Sequence, residues 1–219
     1  MTETKKRAAA LGEALRKAYP EARCSLHFET PFQLLVATIL SAQCTDEKVN
    51  QVTPALFKRC ATPASLAAMA QENLERMIHA TGFFRNKAKA LIGAAGMIAR
   101  DFEGEVPGGM DDLLRLPGVA RKTANVVLGN AYGRAEGVVV DTHVGRLARR
   151  MGLTKESDPA KVEADLMRLF PKEEWVVLAH RLIAHGRAVC RAKSPSCGTC
   201  SLAHLCPKVG VPERAGSRS

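Results

Sequence analysis

Apolar side chains recur at helical spacing along nearly the whole chain. Phe32, Leu35, Val36, Ile39 and Leu40 follow i, i+3, i+4, i+7, i+8. Ala88, Leu91, Ile92, Ala95, Ile98 and Ala99 obey the same rule, as do Trp175, Leu178, Ala179, Leu182 and Ile183. That spacing gathers them on one face of a helix and scatters them over both faces of a strand. Thr62-Pro63 and Asp158-Pro159 each set a capping side chain before a first-turn proline. Gly82, Gly133, Gly152 and Gly186 stand near the ends of periodic segments. Only Val138–Val140 reads as extended, and one short run makes no sheet. The pattern predicts an all-α fold of about ten modest helices.

At 219 residues the chain fits one ordinary domain or two small ones. Its 46% apolar and 25% charged residues match a folded globular protein and exclude a disordered one. The longest apolar stretch, Leu34–Leu40, includes Thr38 and is too short to span a bilayer, so no membrane association is expected. No hydrophobic segment follows the charged N-terminus, which argues against a secretory signal. Gly133 and Gly137 bracket a polar turn at Tyr132–Gly137, the best candidate for a seam. Residues 211–219 read as a basic, disordered tail. Lys and Arg outnumber the acids 32 to 22, a net +10 that suits a polyanion such as nucleic acid, although it also serves solubility.

Cysteines are unevenly placed. Cys24, Cys44 and Cys60 are scattered, while Cys190, Cys197, Cys200 and Cys206 form a C-x6-C-x2-C-x5-C window. Without a secretion signal, a metal centre is favoured over disulfides. Structural zinc sites usually present two short-spaced pairs, and here there is one C-x-x-C. Four thiolates also suit a 4Fe–4S cluster, which accepts uneven spacings, so the spacing favours the cluster and leaves zinc open. A loop tied by ligands at both ends would hold Arg191 and Lys193 against a DNA phosphate; ordinary solvated charges are the alternative.

Asp111–Leu116 reads as a short helix, Pro117-Gly118 as a turn, and Ala124, Val127, Leu128 and Ala131 as one face of a second helix. Such a hairpin can aim backbone N–H groups at a phosphate and so bind any sequence. Lys122 falls in the first turn of the second helix, where the helix dipole disfavours its protonated form. In a basic, partly desolvated site it would be prepared as an amine nucleophile. A plain phosphate contact or a solvated lysine is the ordinary reading. Val138–Val140 then delivers Asp141 to the start of another helix. Asp141 or Thr142 could be its N-cap, or Asp141 could be a carboxylate that stabilises a cationic sugar or handles a proton. His143 alone reads as a packed histidine. Arg146, Arg149 and Arg150 share a helical side, either facing phosphates or merely solvated.

Leu116-Pro117-Gly118-Val119-Ala120-Arg121-Lys122-Thr123-Ala124-Asn125, then Val140-Asp141-Thr142-His143, then the cysteine window, resemble in that order the endonuclease III family. These are bifunctional DNA glycosylases of the helix-hairpin-helix superfamily. Leu40–Asp46 and Gly82–Ala88 extend the resemblance, which covers most of residues 20–206.

The resemblance implies two helical lobes with a cleft between them. One is a six-helix barrel over residues 24–133 containing the hairpin. The other joins residues 1–23 to 134–210 and carries a 4Fe–4S cluster on Cys190, Cys197, Cys200 and Cys206. It implies Lys122 and Asp141 as catalytic residues in the cleft, Gln43 filling the gap left by a flipped nucleotide, and Phe83 wedged into the opposite strand. Leu116, Gly118, Ala120, Arg121, His143 and Arg146 join Arg191 and Lys193 as expected DNA contacts. The implied activity is removal of oxidised pyrimidines from duplex DNA by lysine Schiff-base chemistry, with β-elimination 3′ to the abasic site. The expected enzyme is monomeric and cytoplasmic.

Ala120 departs from the glycine usual in the family, which would weaken binding if the position needs positive φ. Gly145 stands where a larger side chain is expected. Adenine-mismatch glycosylases share the cluster but lack the lysine; Lys122, and Thr38 where their glutamate would fall, argue against that reading. A non-catalytic DNA-binding module with structural zinc is the alternative from another class.

Overall fold

The computed structural model describes residues 2–211; of the expected tail over 211–219, residues 212–219 lie outside the described residues. Eleven α-helices are present among the described residues, and no strand is formed there. The helices α1 (Glu3–Ala18), α2 (Pro31–Leu40), α3 (Asp46–Arg59) and α4 (Pro63–Ala67) come first. They are followed by α5 (Gln71–Ile78), α6 (Phe84–Asp101), α7 (Met110–Arg115) and α8 (Arg121–Ala131). The last are α9 (Thr142–Arg150), α10 (Pro159–Leu169) and α11 (Trp175–Ala188). No helix is long and apolar enough to cross a membrane among the described residues.

Many starts are written locally. Thr30, Thr45, Thr62, Asp141 and Asp158 each accept a first-turn backbone N–H through the side chain, satisfying a donor that a helix start leaves free. At α4 the arrangement is reciprocal, because Ser65 also reaches back to the Thr62 N–H.

The chain divides into two compact units, Cys24–Glu136 and Met1–Arg23 with Gly137–Ser219. The first contains α2–α8, seven helical segments counting the five-residue α4. α2 is buried on all sides from Leu34 to Leu40, as befits a helix that is apolar all round. It packs against α3, α6 and α8, and α6 packs in turn on α4 and α5. The second unit assembles α1, α9, α10 and α11. In it Gly186 of α11 lets α9 come close: a Cβ there would lie 2.8 Å from His143 Nδ1.

Candidate active site and metal centre

The hairpin turns at Gly118, whose φ of +78° is left-handed, and an added Cβ would come within 2.7 Å of the Ala90 Cβ. Both turn geometry and close packing therefore require glycine. Leu116 is buried and closes the turn by accepting the Val119 N–H at 3.1 Å. Ala120 is the N-cap of α8, extended at φ −96°, ψ 170°. Any residue adopts those angles, so the positive φ that would have penalised alanine is not needed. Ala120 offers no capping side chain, and the amides that open α8 keep their anion-binding character.

Arg121 and Lys122 follow on the exposed side of this first turn. Lys122 is exposed in the free protein.

Asp141 sits after the buried Val138 and Val139 and the half-buried Val140. Its Oδ1 accepts the Val144 N–H at 2.8 Å, and its carbonyl accepts the Gly145 N–H at 2.9 Å. The carboxylate is thus oriented by the start of α9, where the dipole favours negative charge. His143 is half-buried over Gly186, with Nδ1 3.2 Å from Arg146 Nη2. Burial pushes its imidazole below the usual range, while the nearby Asp141 charge pulls upward.

Two of the three arginines of α9 bind the polypeptide itself. Arg146 donates to Cys190 O at 3.0 Å and to Gly186 O at 3.2 Å. Arg150 is buried and donates to Arg191 O and Ala192 O, each at 2.8 Å, and to Cys190 Sγ at 3.4 Å. The Arg150 carbonyl in turn accepts from Val209 N–H and Cys206 S–H. Arg150 is therefore the strut of the cysteine loop, a role its place in a basic helical side did not signal. Arg149 alone of the three is exposed.

All four window cysteines are free thiols, and all four line one largely apolar cavity with Val189 and Leu202. Among the described residues no three His, Cys, Asp or Glu side chains converge as a single metal ion requires. A four-iron centre spreads its thiolates around a larger core. Burial raises the Cys200 and Cys206 thiols above their ordinary range, and a bound cationic centre would favour their thiolates. His185 is buried behind Cys200 and held by the Tyr19 hydroxyl at 2.9 Å from Nδ1. Burial lowers it to about 4, so it is a neutral partner at pH 7. The residues present fit a thiolate-ligated cluster. Arg191 and Lys193 project into solvent from the loop between the first two cysteines.

Gln43 and Phe83 share a backbone signature. Gln43 has φ 53° and Phe83 φ 47°, left-handed values that residues with a side chain seldom adopt. Such a conformation costs about 1–3 kcal/mol and persists where neighbours over-determine it. Both side chains are presented outward, and Phe83 is 63% exposed.

Residues 36–172 match the family of HhH-GPD superfamily base excision DNA repair proteins, and residues 190–206 match the iron–sulfur binding domain of endonuclease III. The chain belongs to the endonuclease III family. It is 58% identical to endonuclease III of Synechocystis sp. over 94% of each chain, and 47% identical to that of Bacillus subtilis over 86% of each. A solved non-covalent endonuclease III–DNA complex superposes with a TM-score of 0.89 at 42% identity, covering 95% of this chain and 96% of that one. A trapped endonuclease III–DNA covalent intermediate matches equally, at 42% identity and TM-score 0.89, covering 95% and 97%. As a member of the endonuclease III family the protein is a DNA glycosylase with AP lyase activity, its partner is DNA, and its cofactor is a 4Fe–4S cluster.

Proposed function

We propose that the protein excises oxidised pyrimidines from duplex DNA with Lys122 as nucleophile and Asp141 as its electrostatic partner. The observation that carries this reading is Lys122 itself, an exposed amine on the first turn of α8, directly after a hairpin whose amides can hold a phosphate. Deprotonated Lys122 Nζ attacks the sugar C1′, and the C1′–N glycosidic bond breaks as the base leaves with the electron pair and takes up a proton. Ring opening gives a Schiff base between Nζ and C1′. That imine acidifies C2′, and loss of a C2′ proton expels the 3′ phosphate by β-elimination. Water then hydrolyses the imine and returns the free lysine. Asp141, ionised at the start of α9, stabilises the cationic sugar and accepts or relays protons.

DNA is bent and the damaged nucleotide flipped at a cost of a few kcal/mol, least for poorly stacked lesions. Gln43 fills the vacated space and Phe83 wedges the opposite strand. Leu116, Gly118, Ala120 and Arg121 present the hairpin to the backbone, and Arg191 and Lys193 add phosphate contacts. His143 and Arg146 complete the surface beside Asp141. Cys190, Cys197, Cys200 and Cys206 hold the cluster, which when bound supplies structural organisation of the loop and breaks no bond. A monomer acting on chromosomal DNA works in the cytoplasm.

Borohydride trapping tests the chemistry. Wild type is expected to form a stable adduct with DNA carrying an oxidised pyrimidine. Lys122→Gln should bind that DNA and form none. Asp141→Asn should bind at least as well and turn over much more slowly. Trapping of Lys122→Gln at the wild-type rate would assign the nucleophile to another amine.

A further inference from the structure

Lys87 lies in the first turns of α6 and is only 5% exposed. Its Nζ donates to Leu40 O at 2.8 Å and to Thr81 O at 2.7 Å. Leu40 is the last residue of α2, three positions before Gln43. Thr81 closes the short 3-10 turn His79–Thr81, two positions before Phe83. The backbone N–H of Lys87 also donates to Phe83 O at 3.1 Å. One side chain thus caps the ends of two helical segments at once, and just beyond each end a non-glycine residue takes a left-handed backbone.

Packing does not call for this residue. Burial disfavours the ammonium and pushes its pKa down, while the neighbouring Cys44 acts in the opposite sense. Methionine would fill similar space without a buried charge, but it would leave two carbonyls without this donor. What the ammonium adds is a fixed relation between two turns that are 41 residues apart, read from Leu40 and Thr81.

We propose that Lys87 is a positioning residue that locks the Gln43 turn and the Phe83 turn into one rigid wedge, so that both side chains enter the duplex in a set register. This rests on the reading that Gln43 and Phe83 insert into DNA. A displaced turn would lower the rate of flipping without touching the reacting atoms.

The test compares duplex DNA with single-stranded DNA, which has no opposite strand to wedge. Holoenzyme carrying Lys87→Met is expected to cleave an abasic site in single-stranded DNA within about threefold of wild type and to bind undamaged duplex normally. On a duplex lesion its rate should fall by about 10–100-fold. The fluorescence rise of a 2-aminopurine placed opposite the lesion should shrink with it. Lys87→Arg, which keeps charge and two donors, should restore both readouts. Gln43→Ala and Phe83→Ala, made alongside, must each reduce the fluorescence change; if neither does, the insertion reading fails whatever Lys87 does. If both do and Lys87→Met leaves duplex activity unchanged, or lowers both substrates equally, the tie is refuted. Should Lys87→Met not fold, Lys87→Gln carries the same comparison, and failure of both to fold would make Lys87 a folding residue and overturn the proposal.

Discussion

Between Cys24 and Glu136 the interior is aliphatic: Leu34, Leu35 and Leu40 from α2, Leu56 from α3, Leu91 and Ile98 from α6, and Val127 and Leu128 from α8 join one continuous core. After α11 the other unit is organised differently. From Val189 to Val211 no α-helix forms, and the chain is gathered by Arg150, by hydrogen bonds to loop carbonyls and by four thiols around a cavity. The first region gains its stability by removing apolar area from water, spread over many side chains. The helices of the second unit bury Leu11, Leu15, Leu147, Leu166, Leu178 and Leu182 in the same way, but its segment from Val189 to Val211 relies on a few polar contacts and a cofactor, so single losses there should be far more consequential.

Ligand loss should show this most strongly. Cys197→Ser is expected to lose iron and to melt the unit containing α9–α11, while the helices between Cys24 and Glu136 remain; iron analysis with thermal circular dichroism reads both. Full iron content with unchanged melting would break the contrast at its root. Next comes the aliphatic side. Leu91→Ala should destabilise by about 2–5 kcal/mol in denaturant unfolding yet keep its iron and its absorbance. Iron loss on that substitution would mean the two units do not stand apart.

Smaller effects sharpen the comparison at the surfaces that meet DNA. Lys193→Ala should weaken binding to damaged and undamaged duplex alike and reduce the salt slope by about one. A loss confined to one lesion would place Lys193 beside the damaged base instead. Least of all should be Ala120→Gly. Glycine is the better N-cap and alanine the stiffer chain, so the net change should stay under about 1 kcal/mol with DNA affinity equal or tighter. Strong destabilisation would show that the exposed methyl packs after all.

These contrasts were unequally legible in the sequence. The helices could be read because periodicity and caps are local: Thr62-Pro63 and Asp158-Pro159 announce α4 and α10 within a few residues. The hairpin glycine could be read for the same reason. Arg150 could not, since its partners Arg191 and Ala192 lie far along the chain and are main-chain oxygens, which no side-chain pattern marks. The motif singles out Lys122, but its exposure is a matter of the folded surroundings, which the motif does not state. Gln43 and Phe83 were suspected by resemblance; their left-handed backbones have no signature in residue type, and Lys87 looks like any lysine on an amphipathic helix.

The second unit is discontinuous, built from the beginning and the end of the chain around an uninterrupted middle. On a ribosome this sets an order of events. Cys24–Glu136 can close as soon as it has emerged. α1, made first, carries Ala8, Leu11 and Leu15 toward helices that do not yet exist. At elongation rates of about 5–20 residues per second the wait for α11 lasts on the order of 10–30 s, and the last cysteine follows later still. Through that interval Lys5, Lys6, Glu13, Arg16 and Lys17 keep the other face of α1 charged, which opposes association through its apolar face while the first helix awaits the last.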